Sequence, residues 1–324
     1  MTQTDLTRPQ GLSRIDPALR DAAAGLGIVE FLVESLPAER ENANRAAAER
    51  AAAVDTTGVV VESRTIAGPD GQQLQLRLYQ GQTQSPTPLV VYAHGGGFVT
   101  GNLDTDHAHC VELARDAGCL VVSVDYRLAP EHKFPAAVED SAAALRWIVK
   151  EANGLSIDPS RVAVGGDSAG GNLSANMAHL ARDGDVPPLC FQMLLYPGTD
   201  MSMSQPSYKR DFTQFPLSVE AVKYFIGHYL RNRNDYSDPR AAPLLAANFK
   251  GLAPAFILTA GYDPLADEGL AYARKMEDND VSVTFVHMSN QMHGFLTMGR
   301  IIRASDTALE MASAALTRGF GAKV

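Results

Sequence analysis

Long apolar runs are missing from this sequence. No stretch approaches the ~20 residues of a membrane-spanning helix, and the N-terminal region carries Asp5, Arg8, Arg14, Asp16, Arg20 and Asp21 where an export signal would be apolar. A soluble, unexported protein of the cytoplasm without a membrane span is therefore expected. Cysteine is scarce: Cys110, Cys119 and Cys190 make an odd number without C-x-x-C spacing. That excludes a disulfide framework and suits reduced thiols. Cys119 and Cys190 lie in apolar strand-like runs, and none of the three stands at a sharp turn before a helix, where a nucleophilic thiol would be activated. Basic blocks are absent too, and the 28 basic and 37 acidic side chains leave a formal charge of −9. Nucleic acid is thus not an expected partner. The metal-binding string H-E-x-x-H, cysteine-histidine ligand spacings, the P-loop string and a G-x-G-x-x-G opening a helix are all lacking. Neither a metal nor an organic cofactor is expected.

What the chain does contain is a repeated strand-loop-helix theme. Strand-like runs are Pro88 to His94, Leu120 to Val124, Arg161 to Gly165, Cys190 to Tyr196, Ala255 to Ala260 and Val281 to Met288, separated by helix-like runs such as Ala136 to Ala152, Ala169 to Ala181, Leu265 to Glu277 and Arg303 to Leu316. Nearly all-apolar strands alternating with amphipathic helices predict an α/β fold with a mostly parallel sheet covered on both faces. Val59 to Gln80 instead shows β-branched alternation broken by Gly68-Pro69-Asp70-Gly71, which predicts a hairpin. The N-terminus, with Ala-, Glu- and Arg-rich stretches at Pro17 to Ala24 and Pro37 to Ala53 around apolar Ile28 to Val33, predicts helices. The polar and aromatic segment Asp200 to Pro243 breaks the strand-helix rhythm. It reads as an insertion. The expected organisation is a helical cap segment at 1–53, a core at 54–199, a cap insertion at 200–240 and the rest of the core at 241–324. A length of 324 residues accommodates this plan.

Gly166-Asp167-Ser168-Ala169-Gly170 follows one strand and opens a helix. In that context G-x-S-x-G is a nucleophile elbow, because the glycines let strand and helix approach while the serine Oγ stands clear at the positive end of the helix. Ser168 is the candidate nucleophile. His94-Gly95-Gly96-Gly97 ends an earlier strand, and a loop free of side chains lets backbone N–H groups converge on a developing oxyanion. Gly96 and Gly97, with the Ala169 N–H, are the preferred donors; Gly95 shapes the turn, and His94 and Asp167 support the motif. With serine first, the chain order of this fold places the acid next and histidine last. His293 lies just past a strand, in the loop Ser289 to Gly294, and is preferred as base over His287, which shares a face with Val281, Val283 and Phe285. Asp263, between a strand and Pro264, is the candidate acid and equally a candidate helix cap. Asp267 and Glu268, one turn further, read as solvated or as partners of the helix dipole.

These motifs, together with Asp125-Tyr126-Arg127-Leu128-Ala129-Pro130-Glu131, Asp263-Pro264-Leu265-Ala266-Asp267-Glu268 and His293-Gly294-Phe295, run in order from about Val59 to the C-terminus. They resemble the bacterial hormone-sensitive-lipase-like esterases of the α/β-hydrolase fold, GDSAG subgroup. The resemblance implies a Ser168-Asp263-His293 triad, an oxyanion hole at Gly95, Gly96, Gly97 and Ala169, and a cap over a pocket for small acyl groups. It also implies short-to-medium acyl esters as substrates, a structural turn at Arg127 and Glu131, and pairing into a homodimer through edge strands or C-terminal helices. Amide hydrolysis or acyl transfer would use the same groups, and a ligand receptor on the same fold would keep the cavity without the chemistry.

Overall fold

The computed structural model describes residues 15–19, 35–82, 85–299 and 302–321. Eight strands form one sheet: β1 (Val59–Ala67), β2 (Gln73–Gly81), β3 (Thr87–Ala93), β4 (Leu120–Val124), β5 (Ile157–Asp167), β6 (Phe191–Leu195), β7 (Ala255–Tyr262) and β8 (Val283–Met292). Their spatial order is β1-β2-β4-β3-β5-β6-β7-β8. The expected hairpin, β1 with β2, is antiparallel, as is β2 with β4; every later pairing is parallel. The parallel strands β3, β4, β6 and β7 are buried along their whole length, which is why they read as nearly all-apolar runs, each with one polar residue.

The helices are α1 (Leu36–Ala52), α2 (His107–Asp116), α3 (Ala136–Lys150), α4 (Ala169–Asp183), α5 (Val219–Tyr229), α6 (Ala266–Glu277) and α7 (Arg303–Gly321). Against one face of the sheet pack α2 and α7, through residues such as Val111, Leu113, Leu309 and Leu316. The other face is covered by α3 and α4 and, beyond them, α6, through Leu145, Leu173, Met177 and Met276. Each fully buried Leu or Val contributes about 1.5–3 kcal/mol against exposure, so this double layer carries most of the stability. Helix α1 is different, with Ala47 as its one buried residue; polar contacts hold it.

Of the N-terminal expectations, residues 17–19 are helical, and the rest of Pro17 to Ala24 and all of Ile28 to Val33 lie outside the described residues. Between β6 and β7 the chain leaves the sheet for α5 and short 3-10 turns at Pro206–Lys209, Arg233–Ser237 and Pro243–Leu245. Two strands run further than expected, and one helix was not anticipated. Strand β5 begins earlier, at Ile157, and β8 continues through Ser289-Asn290-Gln291-Met292. Polar residues hid that extension, because an edge strand needs only one apolar face. Helix α2, not anticipated, fills the β3-β4 crossover. Among the described residues no helix is long and apolar enough to cross a membrane.

Candidate active site

The carboxyl ends of β3, β5, β7 and β8 meet at one rim of the sheet, where open α/β sheets bind ligands. Ser168 sits between β5 and α4 with φ 54° and ψ −116°, a conformation that L-residues rarely adopt. The surrounding packing enforces it. Gly170 lies so close to the Ala93 and His94 carbonyls that a Cβ there would collide with them, which seats the elbow against the His94-Gly97 loop.

His293 follows β8 directly. Its Nε2 is 2.9 Å from Ser168 Oγ and its Nδ1 is 2.7 Å from Asp263 Oδ2. Asp263 is fully buried, and its other oxygen, Oδ1, accepts the Leu265 N–H at 2.8 Å. Asp263 thus serves His293 with one oxygen and the turn before α6 with the other, whereas the helix-cap position weighed for it falls to Leu265, without a side-chain cap hydrogen bond. A carboxylate facing Nδ1 requires a proton on that nitrogen, which leaves the Nε2 lone pair facing the serine hydroxyl. His287 lies elsewhere: its Nδ1 is 2.9 Å from Thr259 Oγ1, and burial lowers its pKa.

In the glycine loop, Gly95 corrects its placement among the oxyanion donors. Its N–H already donates to Asp106 Oδ2 at 3.2 Å. Among the described residues no acceptor takes the N–H of Gly96, Gly97 or Ala169, the last being the first residue of α4, whose amide has no intrahelical partner. Gly97 has φ +62°, and the Phe225 ring of α5 occupies the space a Cβ would need. His94 is buried, its Nδ1 donates to the Gly95 carbonyl at 2.7 Å, and its ring stacks on Tyr126 at 4.3 Å. Burial outweighs the neighbouring acceptors and lowers its pKa, so the ring is a neutral brace.

Other side chains of the rim were not foreseen. Phe98 stacks on Tyr229 of α5, with ring centroids 3.8 Å apart and planes within 6°. Arg40 of α1 donates from Nε to the Val99 carbonyl at 2.7 Å, grips the Ala129 carbonyl and forms a two-point contact with Glu131. Tyr224 of α5 donates to Glu39 of α1 at 3.0 Å. Both α1 and α5 therefore press on the loop that follows the glycines. Their sequences carry no motif, and only the general pattern of an N-terminal helix plus an insertion foretold them.

Glu268 and Asp267 are a second correction. Glu268 is fully buried; its Oε1 accepts the Thr199 N–H at 2.6 Å and its Oε2 accepts the Tyr208 hydroxyl at 2.9 Å. Asp267 is 8% exposed and pairs with Arg210. Instead of facing water they bind the inserted segment, whose polar groups at 199–210 offset their burial. The three thiols are all buried, and burial raises Cys119 to about 12 and Cys190 to about 11. They are packing residues.

The family model described as alpha/beta hydrolase fold matches residues 90–297. The chain belongs to that family. The hormone-sensitive-lipase-like resemblance drawn from the motifs is borne out by relatives and solved structures named as esterases. Carboxylic ester hydrolase LipN of Mycobacterium tuberculosis is 45% identical over 74% of this chain and 65% of its own length, so the match spans just under two thirds of that relative. An ethyl acetate hydrolase of Pseudomonas putida is 40% identical over 76% of this chain and 79% of its own. The crystal structure of esterase LipW from Mycobacterium marinum superposes with a TM-score of 0.87 at 38% identity, covering 97% of this chain and 98% of that one.

Proposed function

We propose that this α/β hydrolase is a serine carboxylesterase of the cytoplasm that cleaves short-to-medium acyl esters, with Ser168 as nucleophile, His293 as general base and acid, and Asp263 as the carboxylate that orients it. One observation carries the reading: Ser168 Oγ, the two His293 nitrogens and Asp263 Oδ2 lie in one continuous hydrogen-bonded line of 2.9 and 2.7 Å. His293 Nε2 takes the serine proton as Oγ attacks the ester carbonyl, and Asp263 stabilises the imidazolium. The Gly96, Gly97 and Ala169 N–H groups receive the developing oxyanion, each worth about 3–4 kcal/mol of transition-state stabilisation. His293 returns the proton to the leaving alcohol. Water then attacks the acyl-enzyme by the same path, releasing the acid and free Ser168.

Residues 1–53 and 200–240 form the cap in this reading. It is supported by α1 and α5 bearing on the segment Gly97-Val99. Phe225 over Gly97 supports a shallow pocket, and the P. putida relative's name, ethyl acetate hydrolase, agrees with small acyl groups. The intact Ser168-His293-Asp263 line favours hydrolysis over a receptor that keeps only the cavity.

Initial rates on p-nitrophenyl acetate, butyrate and palmitate test this. Acetate and butyrate are expected to be cleaved and palmitate barely touched, with Ser168→Ala lowering kcat by about 10⁴-fold or more. A Ser168→Ala protein as active as the parent would refute the nucleophile; an inactive parent would favour the receptor.

A further inference from the structure

Behind the reacting groups lie three buried titratable side chains that the chemistry above leaves unused: Asp106, immediately before α2, His109, within its first turn, and Asp167, immediately before the nucleophile. Each is bound to a different part of the site. Asp106 Oδ2 accepts the Gly95 N–H at 3.2 Å, and Asp106 Oδ1 lies 3.0 Å from His109 Nδ1. His109 lines one cavity with Leu296, three residues past His293, and the Leu296 backbone lies close enough to raise the His109 pKa. Asp167 and Asp106 lie close enough that each shifts the other's pKa, and Tyr92 donates to Asp167 Oδ1 at 3.4 Å. Gly95 is packed so tightly on the Asp167 carboxyl that a Cβ there would strike it.

We propose that Asp106 and His109 are positioning residues: their buried ion pair joins the oxyanion loop at Gly95, the nucleophile turn at Asp167 and the base loop at Leu296, and so fixes the three relative to one another. The proposal rests on the assignment of Ser168, His293 and the glycine N–H groups made above. Two neighbouring buried carboxyl groups do not both carry charge, and here Asp167 is the one driven to hold its proton. Burial first, then the charge and hydrogen bond of Asp106, push Asp167 well above the ordinary carboxylate range. Burial disfavours ionised Asp106, yet the hydrogen bond and charge of His109 and the hydrogen bond from Asp167 hold it down at about 2. Burial would also lower His109, but the hydrogen bond and charge of Asp106 raise it to about 9. At neutral pH, then, Asp106 is an anion that accepts from the Gly95 amide, pairs with the His109 imidazolium at 3.0 Å and lies beside the protonated Asp167 carboxyl.

As a charge, Asp106 strengthens both the hydrogen bond from Gly95 and the pairing with His109, since charge-assisted bonds are about twice as strong as neutral ones. When pH rises through about 9, His109 loses its proton, Asp106 keeps its charge without its counter-ion, and the arrangement weakens. The other groups facing this cluster are Tyr92 of β3, His94, Asp125, Tyr126, Cys110 of α2, Tyr196, and Glu112 beside His109. Burial raises Tyr92, Tyr126, Tyr196 and Cys110 well above their ordinary values and lowers His94, so none of these five changes charge near pH 9. Asp125 and Glu112 are raised from ordinary carboxylate values, chiefly by burial.

The test is the pH profile of kcat and KM on p-nitrophenyl butyrate for the parent, Asp106→Asn, His109→Gln, Asp167→Ala, Asp167→Asn and Ser168→Ala. Asp106→Asn and His109→Gln are expected to lose about tenfold or more in kcat with KM nearly unchanged, because a misplaced oxyanion donor is felt mainly in the transition state. The parent is expected to lose kcat as pH rises through about 9, and His109→Gln to lack that fall. Asp167→Asn, whose amide still donates to Asp106, is expected to keep at least about threefold more kcat than Asp167→Ala. Folded Asp106→Asn and His109→Gln proteins with parental kcat and an unchanged alkaline limb would overturn the proposal. So would equal losses in the two Asp167 variants, a comparison that decides the matter if Asp106→Asn does not fold. An active Ser168→Ala protein would instead sink the assignment on which the proposal rests.

Discussion

Asp263 divides its two oxygens between a base and a backbone amide, and the division decides what each substitution would do. Asparagine would keep the Leu265 contact but present an amide N–H or a neutral oxygen to His293, favouring the wrong imidazole tautomer. Asp263→Asn is therefore expected to retain the fold, with its thermal midpoint within a few degrees of the parent, and to lose about 10⁴ in kcat, which steady-state kinetics and a melting curve together would establish. At this scale the sequence was informative wherever chemistry dictates residue type. Ser168, Asp263 and His293 could be picked out because a sharp turn, a strand end and a chain order each constrain one of them. Asp106 and His109 could not. An Asp before a helix is ordinarily a cap, and here no side-chain cap hydrogen bond is made at all. Their meaning comes from Asp167 and Leu296, brought beside them by β5 and by the turn after β8. No local pattern encodes that approach.

The elements of the core were legible for the reason that makes them stable. Leu120–Val124 is bounded correctly to the residue, because Leu120, Val121, Val122 and Val124, interrupted only by Ser123, form a short, mostly β-branched run between Gly118 and Asp125, as a buried strand does. Where an element has an exposed face, as β8 does, the signal fades and the boundary slips. The turn after β4 shows how an element is locked in place. Asp140 on α3, fully buried, accepts from the Arg127 backbone N–H at 2.9 Å, from its guanidinium, and from Gln72 Nε2 at 2.9 Å. It thereby ties the β1-β2 hairpin turn to the β4-α3 crossover. Removing one partner of a buried pair strands the others, so Asp140→Ala is expected to cost about 3–5 kcal/mol. Arg64→Ala, which breaks an exposed pair with Glu62, is expected to cost at most ~1 kcal/mol. Urea titrations of the two variants would separate these outcomes.

Taken as a whole molecule, the chain is a rigid sheet-and-helix body with two appendages meeting over one rim. They are held by different forces. The inserted segment is anchored by burial: Glu268 and Ser207 tie its start to α6 and the Asp263 loop, and Phe225 and Tyr229 pack into the core. Helix α1 has almost no apolar face, and its grip on the rim depends on Arg40, whose partner Glu131 is 56% exposed against 20% for the arginine itself. An ion pair of that kind is open to screening, since the Debye length shrinks to about 3 Å at 1 M salt. Brine therefore ought to act on this protein through one arginine. In 1 M NaCl the KM of the parent is expected to rise toward that of Arg40→Ala, while the variant itself stays indifferent to added salt; equal salt responses in both proteins would rule this out. Ionic strength thus becomes a handle on how readily the rim opens to its substrate, with the sheet beneath left undisturbed.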